Sequence, residues 1–462
     1  MRENISFNVG NLILINKIDK EYKFFDNVIG CLRGKTKHLV ESVKAFINNR
    51  LDKCVSINQI TEIYPEEWFL SLKFKEKPKQ RTLYRDLERV GINDAFIIEK
   101  YQQLMKKNNL FSKEQFPDFS SSYFEGDKAE LGALGYSRDS QPGKKQIVFG
   151  VQTGINGIPS ALTIQKGNVQ DKQHMKFMLK TVEKILDKDS VLVFDCGGYT
   201  KENKKRILDM KFNYLSLVPR NNEIYKKGIK IYKESPKEVM YFNGIKYKCV
   251  KIKEEKEIFY VYHSQSLYKK LKRNRNKKFK NELNKNDILV KKVEKGKEIG
   301  RFISRKGDII TKGVIQKQLG EIKNSYITGT EGFFILGSSI DDEPYKILRL
   351  YKKRDIVEKL IRNMKEGTEL RPINCITKEA IIGYLVIIFL TNCLIQLTRF
   401  LNKDIVDKNL KLLKKKLGSL TVTVIYSESL FKFSVLSNIS PEIRQILGDS
   451  LKEFREKPPD WM

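Results

Sequence analysis

Histidine is scarce in this chain. Only His38, His174 and His263 occur, and the six cysteines (Cys31, Cys54, Cys196, Cys249, Cys375, Cys393) are scattered with no C-x-x-C pair. That poverty of soft and imidazole ligands speaks against a zinc site and for reduced thiols in a cytosolic setting. Acidic residues are also short: 56 against 88 Lys and Arg, a formal net charge of +32. Such an imbalance favours a polyanionic partner, nucleic acid before membrane; the alternative source of part of it is a lysine-rich proteome. A secretory leader is not expected, because Arg2, Glu3 and Asn4 precede only a short apolar run. One apolar stretch, residues 380–400, is long enough to span a bilayer, but Thr391, Asn392, Gln396, Thr398 and Arg399 interrupt its second half. It reads as a buried core helix, and no membrane partner is expected. No internal repeat is evident. What remains is ample: 462 residues, 40% of them hydrophobic, enough for two to four domains with a sizeable core.

Residues 1–111 read as mostly helical. Ser56 can cap a short helix, Pro65 interrupts it, and Gln80–Val90 predicts a second helix closed by Gly91. Arg81, Arg85 and Arg89 recur every four residues opposite Leu83, Leu87 and Val90. A recognition helix entering a major groove and an ordinary surface helix both fit that pattern. A strand-rich block follows. Asp118 lies in a short segment suited to a first strand, and residues 146–153 and 160–165 flank a hairpin turn at Asn156, Gly157 and Pro159. An amphipathic helix is expected over 172–186, where His174 has a structural place. Residues 190–194 form a continuous apolar run, the mark of a buried strand, ending on Asp195 before Gly197 and Gly198. Another strand is expected at 214–218. Three antiparallel strands, a crossover helix and further parallel strands make a ribonuclease-H-like α/β order. Asp139 and Asp171 read as turn or capping residues.

Between 221 and 330 short strands alternate with lysine-rich turns, and Lys269–Lys280 carries eight basic residues in twelve. That run is either a solvated loop or a phosphate contact. The block reads as a β-rich basic insertion, with the core resuming at residues 333–336. The expected divisions are thus 1–111, helical and suited to DNA binding; 112–220, the first part of the core; 221–330, the insertion; 331–405, the second part of the core; and 406–462, a basic and then apolar tail ending in Pro458, Pro459 and Trp461.

The stretch Tyr351–Lys365 concentrates the chemistry. Tyr351, Arg354, Glu358 and Lys365 fall within an arc of roughly 60° if the stretch is one helix. Ile356, Val357, Leu360, Ile361 and Met364 fall mainly on the other side. Phosphodiester cleavage needs an activated oxygen nucleophile and a stabilised leaving oxygen, which two divalent ions about 3.5–4 Å apart supply. Mg²⁺ takes oxygen ligands from a few carboxylates. In a ribonuclease-H-like core, Asp118 on the first strand, Asp195 at the end of a later one and Glu358 on a following helix occupy the three required places.

Taken together, Asp118, the Gly135–Ser140 and Gln146–Val151 segments, Gly167–Asp171, Val191–Asp195 and the Y-x2-R-x3-E-x6-K box resemble a DDE transposase. The likeness is to the insertion-sequence superfamily with a Tyr-Arg-Glu-Lys signature, in its branch with a long insertion before the glutamate, and covers roughly Asp118 to Pro372. The resemblance implies that Asp118, Asp195 and Glu358 bind two Mg²⁺, with Mn²⁺ able to substitute. Tyr351, Arg354 and Lys365 are implied to hold DNA near the cleaved end; paired cations suit phosphate, and a tyrosine can stack on a displaced base. Arg81 and Arg85 are further DNA-binding candidates. The chain departs from the family at Phe119-Ser120, Cys196 and Glu331-Gly332, none of which removes a ligand. The implied activity is cut-and-paste transposition: binding of terminal inverted repeats, hydrolysis at the element's ends, and joining of the 3′-hydroxyls to target DNA. A hairpin on the excised end, a homodimer acting in trans and a bacterial, nucleoid-associated cytoplasmic setting come with that resemblance. The alternatives are an inactive transposase-derived DNA-binding protein and a structure-specific nuclease on the same core.

Overall fold

A computed structural model describes residues 4–32, 36–254, 257–294, 327–402, 405, 409–426 and 432–456. Residues 295–326 of the expected insertion, and Pro458, Pro459 and Trp461, lie outside the described residues. The chain opens with β1 (Ile5–Asn8), α1 (Gly10–Tyr22), α2 (Leu39–Leu51), α3 (Ile57–Ile63), α4 (Glu66–Ser71), α5 (Gln80–Ile92) and α6 (Asp94–Lys107). Next come β2 (Glu114–Tyr123), β3 (Gln146–Gly154), β4 (Pro159–Lys166), α7 (Asp171–Val182), β5 (Val191–Phe194), α8 (Lys201–Asp209) and β6 (Asn213–Leu217). The middle holds α9 (Glu223–Glu234), β7 (Glu238–Phe242), β8 (Ile245–Glu254), β9 (Glu257–His263), α10 (Gln265–Glu294), β10 (Phe333–Ser338) and α11 (Pro344–Lys352). Last are α12 (Asp355–Arg362), α13 (Lys378–Leu401), α14 (Leu410–Ser419), β11 (Thr421–Tyr426), β12 (Lys432–Ser437), α15 (Pro441–Leu447) and α16 (Asp449–Glu456).

The chain divides into two compact units: Met1–Tyr214 with Lys352–Met462, and Leu215–Tyr351. In the first, β2, β3 and β4 form an antiparallel meander, and α7 carries the chain across to β5, which pairs parallel with β2. The sheet is therefore mixed. Its β3–β4 turn is the expected one: Gly157 takes φ +80°, where a side chain would be strained, and Asn156 Oδ1 accepts from Ile158 N at 3.2 Å. A separate antiparallel sheet joins β1, β11 and β12 in that order.

The N-terminal helices, expected as a division of their own, fall in the first compact unit together with β2–β5. Within that unit α5 packs backbone to backbone on the long helix α13. A Cβ on Gly91 would stand 1.8 Å from the Glu379 carbonyl, and one on Gly383 would stand 2.1 Å from that of Leu87. Gly91 therefore does not close α5; it lies within the helix at the point of closest approach. Helix α13 is the apolar stretch singled out above, long and apolar enough to cross a membrane by length and composition, with 83% of its most apolar window buried inside the protein. Its hydroxyls are satisfied internally, Thr391 and Thr398 donating to the carbonyls of Ile387 and Leu394 at 2.7 and 2.8 Å.

In the second unit the strand order is β6-β10-β9-β8-β7, antiparallel throughout. Strand β10, expected to restart the core, pairs with β6 on one side and with β9 along its whole length on the other, and Phe334 stacks on Tyr262 with centroids 5.0 Å apart. The basic run Lys269–Lys280 lies within helix α10 rather than in a loop. Lys, Arg and Leu are good helix formers, and no Gly or Pro interrupts the run.

Candidate active site

Strand pairing brings the two aspartates together. β2 and β5 align Glu114 with Val191 and Gln115 with Leu192. The same register carried forward three residues sets Asp118 level with Asp195. Each aspartate anchors one oxygen on the main chain: Asp118 Oδ1 accepts from Phe119 N at 3.0 Å, and Asp195 Oδ1 from Cys196 N at 2.8 Å. Helix α12 supplies Glu358. Val357, Leu360 and Ile361 are buried while the glutamate is exposed, so the apolar stripe of the helix fixes the face that carries the carboxylate.

The expected single helix from Tyr351 to Lys365 is interrupted. α11 stops at Lys352, Lys353 and Arg354 form a turn, and α12 runs from Asp355 to Arg362 before a π-helical turn, Asn363–Gly367. The interruption turns Arg354 inward. Its guanidinium lies 3.6 Å from Asp118, 3.5 Å from Asp195 and 3.1 Å from Glu358, its side chain only 10% exposed. The two aspartates, the glutamate and Arg354 are thus brought together. Lys365 forms a buried ion pair with Asp139 at 2.7 Å, shared with Arg371 at 2.7 Å. Tyr351 belongs to the second unit and is half-buried there, and Arg81 and Arg85 are exposed on α5.

Burial pushes the Asp118 carboxyl up to about 6, against the pull of Arg354 and of the Phe119 amide. Burial likewise lowers Lys365, with Asp139 acting in the opposite direction. Among the described residues no three His, Cys, Asp or Glu side chains stand close enough together to chelate an ion; in the triad the guanidinium stands between the carboxylates. The donor set nevertheless fits a hard divalent cation. It is all oxygen, as Mg²⁺ requires, and the place it faces already holds a positive group.

Several neighbours of functional interest carried little sequence signal. Asp139 is no simple turn residue: its side chain is 1% exposed between two cations. Asp171 pairs with Arg138, and it lies where a Cβ on Gly197 would meet it, 2.8 Å from Oδ2, beside the turn that follows Asp195. Lys359, Arg362, Arg399, Lys411 and Lys414 line a cleft of about 730 Å³ together with Glu366 and Glu369. Two of these cations share α12 with Glu358, a basic i, i+3 pair that was visible in the sequence.

His174 is buried behind β2, its Nε2 2.8 Å from Thr163 Oγ1 and its ring 4.7 Å from that of Phe119. Burial first, and Arg138 second, depress it from 6.5 to about 3. Between those values the unfolded chain binds the proton that the folded chain refuses. Stability therefore falls on acidification below pH 6.5, at roughly 1.4 kcal/mol per pH unit for this group. Urea unfolding at pH 6.5 and 5 is expected to show a steeper loss in the parent than in His174→Asn; equal losses would contradict this.

The chain matches the family described as "Transposase DDE domain" over residues 86–394. Among solved structures, a piggyBac transposase synaptic complex with hairpin DNA is 11% identical, covering 97% of this chain and 81% of that one, with a TM-score of 0.39. A Mos1 transposase paired-end complex with the left transposon end is 10% identical, covering 43% and 66%, with a TM-score of 0.17. None of the curated proteins matches.

Proposed function

This chain belongs to the transposase DDE domain family, and from that premise we propose that it is a cut-and-paste DNA transposase of the Tyr-Arg-Glu-Lys type with a ribonuclease-H-like core. The observation that carries the reading is the convergence of Asp118, Asp195 and Glu358 on one cation position. Those three carboxylates would hold two Mg²⁺ or Mn²⁺ ions, which when bound stabilise the charge that develops on the attacking and leaving oxygens of a phosphodiester. The chain's own residues supply the rest. The main-chain amides of Phe119 and Cys196 fix the aspartates, and the buried stripe of α12 fixes the glutamate. The reaction hydrolyses DNA at the element's terminal inverted repeats and joins the freed 3′-hydroxyls to target DNA. Two ends must be handled together, so the working form is a homodimer, acting on nucleoid DNA in the bacterial cytoplasm.

Lys365, buried against Asp139, is spent on structure, so its expected role in DNA contact passes to exposed cations. Lys359, Arg362 and Lys411 in the basic cleft are the better supported phosphate contacts, with Arg81 and Arg85 on α5 as further ones. The test is an end-joining assay with a precut terminal-repeat duplex and a supercoiled plasmid. Joined products are expected from the parent protein in Mg²⁺. Arg362→Ala and Lys411→Ala each lower the slope of log affinity against log salt by about 1. Tight binding to the repeat with no joined product in either Mg²⁺ or Mn²⁺ would favour a DNA-binding, inactive relative instead.

A further inference from the structure

We propose that Arg354 is the internal counter-cation of the carboxylate cradle, and that a divalent ion and the Arg354 guanidinium compete for the same place. The proposal rests on the reading of Asp118, Asp195 and Glu358 as metal ligands. Three observations carry it.

The first is the direction of the oxygens. Oδ1 of each aspartate is committed to a main-chain N–H, and Oδ2 of each faces Arg354, as does Oε1 of Glu358. The oxygens a metal would take are those the guanidinium now faces. The second is exposure. Arg354 is the most enclosed member, at 10%, against 22%, 49% and 50% for Asp118, Asp195 and Glu358. It fills the middle of the cluster rather than lying across its mouth. The third is the backbone. Arg354 is the N-cap residue of α12, outside the regular helix, so a change in its side-chain position leaves the helix that presents Glu358 in place.

The electrostatics follow. Three carboxylates facing one another repel strongly once partly buried, and a single planar cation that reaches all of them offsets part of that repulsion. An incoming divalent ion meets the same guanidinium as a like charge at close range. Arg354 therefore holds the carboxylates in place before the ion arrives and lowers the affinity for it. Once displaced, the guanidinium is available to a phosphate oxygen. Metal binding and DNA engagement are coupled through one side chain.

The experiment is calorimetric titration of Mn²⁺ into the full-length protein without DNA, using the parent, Arg354→Gln, Arg354→Lys and Glu358→Ala. Thermal unfolding is followed in parallel in chelator and in Mn²⁺. Arg354→Gln is expected to bind Mn²⁺ about tenfold more tightly or better, to unfold at a lower temperature than the parent in chelator, and to gain more than the parent on adding Mn²⁺. Arg354→Lys, a point charge that cannot span three carboxylates, falls between, and it carries the test if Arg354→Gln does not fold. Equal Mn²⁺ affinity in the parent and both Arg354 variants, with loss in Glu358→Ala, overturns the proposal and leaves the metal-site reading standing. That result would assign Arg354 to DNA alone. Absence of Mn²⁺ binding in all four proteins overturns both.

Discussion

Glu358→Gln is expected to reduce metal-dependent strand cleavage by ~10³-fold or more while leaving binding to the terminal repeat nearly unchanged. The substitution keeps size and helix propensity and removes only the charge. Glu358 is half exposed, so α12 keeps its buried stripe and the fold does not depend on the carboxylate. Asp195→Asn, also about half exposed, is expected to behave alike. Asp118→Asn should lose as much activity but resist unfolding at least as well as the parent. Burial already works against the Asp118 charge, raising its carboxyl to about 6, so at pH 7 the charged form is less at home in the fold than in the unfolded chain. Loss of cleavage with unchanged or raised stability separates a site carboxylate from a structural one. Cleavage and urea unfolding measured on the same preparations check it. Full cleavage by either Glu358→Gln or Asp195→Asn would remove the triad from the mechanism.

The largest stability effect is expected at Asp139. Its carboxylate is almost wholly enclosed, with Lys365 and Arg371 each 2.7 Å away, and Lys365 itself is 9% exposed. Asp139→Ala strands the Lys365 ammonium in the interior, and breaking a buried pair from one side costs about 3–5 kcal/mol. The pair joins the loop before β3 to the π-helical turn that follows α12, so cleavage is expected to fall as well, through the placement of Glu358. The double variant Asp139→Leu with Lys365→Met removes both charges and should recover most of the lost stability, since apolar replacement of a buried pair is often neutral. Urea unfolding of the three proteins checks this. A single variant within 1 kcal/mol of the parent, against the roughly 3 kcal/mol expected, would mean that the pair is not buried in solution.

The parts of the site legible in the sequence are those set by local pattern. A short segment around Asp118 suited a first strand, a continuous apolar run located β5, and the strand end marked Asp195. The apolar spacing of Val357, Leu360 and Ile361 located the helix of Glu358. The features that were not legible depend on partners far along the chain. Lys365 looked like a solvent-facing cation because its counter-ion lies 226 residues away. Gly91 looked like a helix stop, but it is the point where α5 meets α13, whose close-approach residue Gly383 lies in a distant segment. The turn at Lys353 and Arg354 has no Gly or Pro to announce it. It exists beside three carboxylates that converge only when β2, β5 and α12 assemble. Spacing alone continued the helix, and the resemblance implied that Arg354 holds DNA; the fold puts Arg354 between the acids.

Asp118, Asp195 and Glu358 are proposed to form one divalent-ion site for cutting DNA. The most direct measurement is cleavage of an end-labelled duplex carrying the element's own terminal repeat and flank, in Mg²⁺ and in chelator, with products mapped to the nucleotide. A nick at the repeat boundary that leaves a 3′-hydroxyl on the element is expected in Mg²⁺ and not in chelator. Cutting of equal strength in chelator, or cuts scattered without regard to the repeat, would contradict it.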